Sequence, residues 1–123
     1  TFFILENLDT LRKNGRLSKV KALVASALKI KPVMGSTDDG NICQLDQARG
    51  MNRALIKFVE QVIEKTPDSA EKVLAISHCN CPARAQVLKE AFEERMKLAK
   101  IVVLDTAGVS SMYANDGGVI VAV

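Results

Sequence analysis

The sequence predicts an α+β two-layer sandwich: a mixed β-sheet with amphipathic helices packed on it. Three observations carry that expectation. The second half alternates helical and strand patterns, which requires a sheet with helices against it. Asp38-Asp39-Gly40-Asn41 stands between two apolar runs as a hairpin turn. The length of 123 residues suits one domain, and 48% hydrophobic with 25% charged residues is enough to bury a core.

In order along the chain, Ile4, Leu5, Leu8 and Leu11 fall at helical spacing, predicting a helix over Phe3 to Lys13 that stops at Gly15. Ser18 offers an N-cap for a second helix, Lys19 to Leu28, with Val20, Leu23, Val24 and Ala27 on one face. Ile30 to Met34 reads as a strand whose Pro32 suits an edge or first position, and Ile42 to Leu45 as the returning hairpin arm. Ala48 to Glu64 is the longest helical pattern, with Met51, Leu55, Phe58, Val59, Val62 and Ile63 as its stripe. Lys72 to Ser77 is a short buried strand. Pro82 to Lys97 is another amphipathic helix, with Val87, Leu88, Ala91, Phe92 and Met96 facing inward. Ile101 to Leu104 and Val119 to Val123 are the remaining strands, the last introduced by Gly117-Gly118. With few aromatics and no Trp, the core is expected from Leu, Val, Ile, Ala and Met.

A net charge of +3, without basic residues interleaved with aromatics, argues against nucleic acid as a partner. No apolar run approaches the roughly 18–20 residues that span a bilayer. Three cysteines, two of them too close for an ordinary disulfide, point to a reducing cytoplasm. The start TFFILENL is no signal peptide and lacks an initiator Met, so a piece of a longer protein is expected.

Chemistry is most visible at Ser77-His78-Cys79-Asn80-Cys81-Pro82, which holds the single histidine and two of the three cysteines. It sits where a strand ends and a helix begins, a place where α/β proteins gather binding groups. A helix N-terminus there would lower the pKa of Cys81. Against a metal site, Cys-x-Cys and one His fall short of four ligands; against a redox pair, the Cys-x-x-Cys spacing is absent. Pro82 in the first turn, with Asn80 or Cys81 as cap, accounts for the composition without chemistry. The basic turn around Arg12, Lys13 and Arg16 reads as a solvated cap region. Arg49 and Arg53, at i, i+4 spacing near the start of the long helix, oppose its dipole and so suggest an acidic partner or an anion.

Leu8-Asp9-Thr10-Leu11-Arg12-Lys13-Asn14-Gly15-Arg16-Leu17-Ser18 resembles the L-x-x-L-x-K-G-G-R-I-S signature that opens the second domain of DegV proteins. Ile30-Lys31-Pro32-Val33 is similar to that family's I-K-P-I strand, and Asp39-Gly40-Asn41-Ile42, Ala48-Arg49-Gly50, Arg53-Ala54-Leu55 and the strand ending in His78 continue the match over essentially the whole chain. The resemblance implies a non-enzymatic carrier, related in this domain to dihydroxyacetone kinase, that holds a long-chain fatty acid in an apolar tunnel. Family members that serve fatty acid kinase present the carboxylate to a separate kinase subunit. The chain is then expected to be the second domain, 1–123, the N-terminal parallel α/β domain lying outside it. The resemblance implies no cofactor and no metal beyond the bound fatty acid. It places the tunnel and its mouth at Leu23, Ala27, Ile30, Met34, His78, Met112, Tyr113, Ala114 and Asn115, and the kinase-docking residues at Arg16, Arg49 and Arg53. The family's closing G-T-H-x-G-P-G is replaced by Ser111-Met112-Tyr113-Ala114-Asn115-Asp116-Gly117-Gly118. Counted from Gly108, Ala114 falls at the histidine, so either Tyr113 or Asn115 substitutes as a hydrogen-bond donor or carboxylate capture is weaker or different. Two other readings stay open: a thiol or metal enzyme on His78, Cys79 and Cys81, and a protein-interaction module without ligand.

Overall fold

Nine elements follow one another in the computed structural model, which describes residues 1–6, 11, 13–15 and 30–123. They are β1 (Phe2–Ile4), β2 (Ile30–Ser36), β3 (Ile42–Arg49), α1 (Met51–Glu64), β4 (Val73–His78), α2 (Pro82–Arg95), β5 (Lys100–Asp105), α3 (Gly108–Ala114) and β6 (Val119–Ala122). Among the described residues the strands form a mixed sheet in the order β3-β2-β1-β6-β4-β5. Only β4 and β5 run parallel, joined through α2 as a βαβ unit; the other neighbours are antiparallel. The expected α+β architecture is therefore present.

Side chains alternate across each strand, and the two faces have different cover. On one face Phe2, Ile4, Val33, Leu74, Ile76, Val119 and Val121 meet Ala54, Phe58, Val59 and Val62 of α1 and Ala85, Leu88 and Phe92 of α2. All are buried. At about 25 cal/mol per Å² of apolar surface removed from water, this layer is the main favourable term of the fold. On the opposite face Met34, Leu5, Leu11 and Ala114 form a smaller cluster, edged by Phe3, Ile42, Cys79 and Tyr113.

Several expected elements differ. Phe2–Ile4 is a strand, not the start of a helix: Phe3 lies opposite both Met34 and Ile120, so the segment fills the sheet between β2 and β6. β3 continues through Ala48 and Arg49, and the helix begins only at Met51, after Gly50 turns the chain at φ 85. Arg49 and Arg53 therefore do not share a helical face. Pro32 lies inside the sheet rather than on an edge strand, but β1 stops level with Val33, so among the described residues only β3 runs beside it. Val87 is exposed; the buried stripe of α2 is Ala85, Leu88 and Phe92. Between β5 and β6, where no element is expected from the sequence, lies a helix, α3. The helix expected over 19–28, and with it Leu23 and Ala27, lies outside the described residues, as does Arg16.

Candidate functional site

The sheet face opposite α1 and α2 carries a hollow of about 250 Å³. Phe3, Leu5, Ile42 and Ile120 come to it from the strands and their ends, Leu11 from the segment after β1, and Ser110, Tyr113 and Ala114 from α3. Thr1 completes the lining. The polar groups among these side chains are hydroxyls. The lining therefore suits an apolar chain, which gains about 0.8 kcal/mol for each CH₂ removed from water.

The wall built by α3 is held by a closing turn at 115–118. Asn115 and Gly117 adopt the left-handed region, at φ 58 and 89. The Cys79 N–H donates to Gly118 O (2.9 Å) and the Gly117 N–H to Cys79 O (2.8 Å), which locks the turn to the end of β4. Asn80 Nδ2 donates to Asp116 Oδ1 at 2.8 Å. Gly118 allows a close approach: a Cβ there would lie 2.5 Å from Ala114 O and 2.9 Å from Leu5 Cδ2. The start of α3 is pinned by a 2.8 Å contact between the Thr106 and Ser111 hydroxyls.

The cysteine–histidine segment does not gather its donors at one point. His78 is buried on the helix-covered side, where its Nδ1 accepts the Cys81 N–H (3.1 Å) and its Nε2 faces Asp105 Oδ1 (3.1 Å). Both ring nitrogens are therefore committed to structural partners. Cys79 packs beside Ala114 and Tyr113, whereas Cys81 packs with the helix-side core. Burial pushes the Cys81 thiol above its ordinary range, outweighing the opposing pull of Arg84. The lowered thiol pKa expected at this helix start is therefore not found. Cys81 and Pro82 stand at the N-cap and first turn of α2, as the composition suggests.

The other expected binding residues scatter. Tyr113 and Ala114 line the hollow, and Met34 is fully buried in the cluster next to it. Ala114 is itself buried, and a Cβ added at Gly118 would lie 3.0 Å from its own Cβ. Met112 is exposed, Ile30 pairs with Arg49 at the far end of β2, and Asn115 forms the turn. Arg49 and Arg53 are both exposed, one on β3 and the other on α1. Sequence reasoning missed Phe3, Leu5, Ile42, Ser110 and Ile120. The alternation of Phe3 and Ile120 against their buried neighbours was the available signal, but only once β1 is read as a strand. It also missed Glu6 and Arg84, which bracket the closing turn from outside.

The DegV family profile, described as "Uncharacterised protein, DegV family", matches residues 1–123. A DegV domain-containing protein of Streptococcus pyogenes is 34% identical over 118 residues, covering 96% of this chain and 41% of its own length. The crystal structure of a DegV family protein from Ruminococcus gnavus, refined with vaccenic acid, is 50% identical with a TM-score of 0.92, over 99% of this chain and 43% of that one. The Fak B3 protein of Streptococcus pneumoniae fatty acid kinase, loaded with linoleic acid, is 30% identical with a TM-score of 0.84, over 98% and 42%. The chain thus spans about two fifths of the length of the relatives it matches. Among the described residues, no helix is long and apolar enough to cross a membrane. The agreement of profile, sequence and fold along the whole chain establishes that it belongs to the DegV family.

Proposed function

We propose that this chain is the second domain of a fatty-acid carrier and forms one wall of its acyl site, with no reaction of its own. The observation that carries the reading is the hollow of about 250 Å³ lined by Phe3, Leu5, Ile42 and Ile120, on the sheet face that α1 and α2 leave free. The acyl chain lies along this face, and a preceding parallel α/β domain closes over it. Tyr113 stands in for the family histidine. Asn115 and Gly117, two residues apart and both left-handed, match the spacing of the two glycines in H-x-G-P-G, which supports reading Tyr113 rather than Ala114 at the histidine. Its phenol donates a hydrogen bond to the head group, a role that Ala114 cannot fill.

Arg49 and Arg53, with Arg16, dock a fatty acid kinase subunit; the likeness to the pneumococcal Fak B3 protein and the exposure of Arg49 and Arg53 support this. The protein works in the cytoplasm, where such a kinase and reduced Cys43, Cys79 and Cys81 belong. Native mass spectrometry of the full-length protein, purified from cells, tests the carrier role: a bound fatty acid of long-chain mass is expected. A protein that is empty and takes up no added vaccenic or linoleic acid overturns it.

A further inference from the structure

Glu6 and Arg84, 78 residues apart, meet behind the closing turn. Arg84 Nη2 donates to Glu6 Oε1 at 2.9 Å, while its Nη1 donates to the carbonyl of Gly117. The carboxylate of Glu6 is also 3.4 Å from Lys31 Nζ, which donates at 2.8 Å to the Glu6 backbone carbonyl. Both side chains of the pair are largely covered, Arg84 more than Glu6. One guanidinium therefore joins three places: the residue after Leu5, which lines the hollow; the turn that ends α3, which carries Tyr113 and Ala114; and α2. The planar fork of an arginine holds two acceptors in a fixed geometry, whereas a lysine ammonium is a point charge on a flexible stem. Space around the contact is tight, since a Cβ on Gly117 would fall 2.8 Å from Glu6 Cγ and 3.0 Å from Arg84 Nη1.

We propose that Arg84, held by Glu6, is the positioning residue of the hollow: it fixes the closing turn against β1 and so sets the distance between the α3 wall and Leu5. It touches no ligand. Its effect on ligands rests on the fatty-acid reading above, but its effect on the turn does not. A wall held at one distance selects among acyl chains, whereas a loose wall accepts them more evenly. The fully connected arrangement favours this role over a surface ion pair, whose contribution to stability is small.

The test compares full-length wild type with Arg84→Met, Arg84→Lys, Glu6→Gln and the double variant Glu6→Gln/Arg84→Met. Two measurements are made: calorimetric titration with saturated fatty acids of 12, 14, 16 and 18 carbons, and amide hydrogen exchange at Cys79, Gly117 and Gly118. Arg84→Met is expected to bind the preferred chain roughly five- to tenfold more weakly, with a smaller spread among lengths, as expected for loss of a charge-assisted hydrogen bond. It is also expected to exchange the three amides faster. Arg84→Lys recovers little of either, and the double variant is no worse than Arg84→Met, because the two residues act as one unit. Wild-type chain selectivity with unchanged exchange at the turn in Arg84→Met overturns the proposal, as does full recovery by Arg84→Lys. If wild type binds no fatty acid while the Arg84→Met turn still exchanges faster, the carrier reading fails and the positioning role stands. If exchange rises evenly across the sheet, Arg84 is merely structural and the proposal falls.

Discussion

The two faces of this sheet use the same strands to opposite ends. Phe2 and Ile4 are buried against α1 and α2, while Phe3, between them, points to a hollow and stays partly exposed. The same contrast holds in β6, where Val119 and Val121 are buried and Ile120 lines the hollow. A strand's period of two makes this possible: one set of residues makes the stable layer, and the other set lines the hollow. On the proposed carrier reading, stability and binding are written into alternate positions of the same segments. Substitutions one residue apart should separate them.

The largest effect belongs to the helix-covered face. Phe58→Ala removes a side chain with 0% exposure from the centre of the core and should cost about 3–5 kcal/mol in urea unfolding. Phe3→Ala, on the other face, should cost about 1–2 kcal/mol, since part of that ring is already in water, yet weaken fatty acid binding at least as much as Phe58→Ala does under conditions where both variants stay folded. Equal stability losses at the two positions would dissolve the distinction between the faces. Next in size is Gly118→Ala. The added methyl meets the carbonyl of Ala114, a backbone atom that cannot swing aside, so overpacking of about 1–3 kcal/mol is expected. Gly40→Ala meets no atom and is strained only by its φ of 82; it should leave fatty acid binding unchanged, whereas Gly118→Ala should reduce it.

How much of this contrast was legible in the sequence depends on length. α1 and α2 span 14 residues each, and helical periodicity located both, as did the hairpin and the strand ending in His78. β1 has three residues, too few for a period of two to show, and the helical spacing that runs from Ile4 to Leu11 hid the strand at its start, although Leu11 and Lys13 are helical as expected. Its state is fixed by β2 and β6, which lie far away along the chain. α3 offers little apolar pattern; its ends are set by the Thr106–Ser111 contact and the left-handed Asn115. The resemblance to DegV proteins pointed to the closing segment, and Tyr113 and Ala114 do line the hollow. It did not point to Glu6 and Arg84, whose meeting depends on the folded turn and leaves no local trace in the sequence.

A third effect tests the proposed kinase docking rather than the fold. Arg49→Glu with Arg53→Glu reverses two exposed charges outside both the core and the hollow. Unfolding and fatty acid binding should change little, whereas acyl phosphate formation by the kinase subunit should fall by roughly tenfold, the scale of losing charged anchors at an interface. Raising the salt concentration should narrow the gap between wild type and variant by weakening wild type. Kinase turnover unchanged at low salt removes both arginines from the docking surface.

The smallest effect lies at the rim of the helix-covered face, where Asp46 of β3 meets Lys57 of α1 at 3.3 Å. The Gln47 backbone N–H, donating to Asp46 at 2.8 Å, and the Lys57 ammonium hold the Asp46 carboxyl below the usual carboxylate range. A carboxylate with a lowered pKa in the folded state stabilises the protein at pH values above its unfolded pKa. That contribution fades as the pH falls through the folded value, where the group is protonated in both states. The pair is partly solvated, so Asp46→Asn should cost less than about 1 kcal/mol at pH 7. The cost should shrink toward zero in urea titrations carried to pH values below the lowered pKa of Asp46. Because α1 is held by buried Phe58, Val59 and Val62, the variant should leave the hollow and its ligand untouched. A loss of stability that persists undiminished in acid would mean that Asp46 acts through its shape and its bond to Gln47 rather than through its charge.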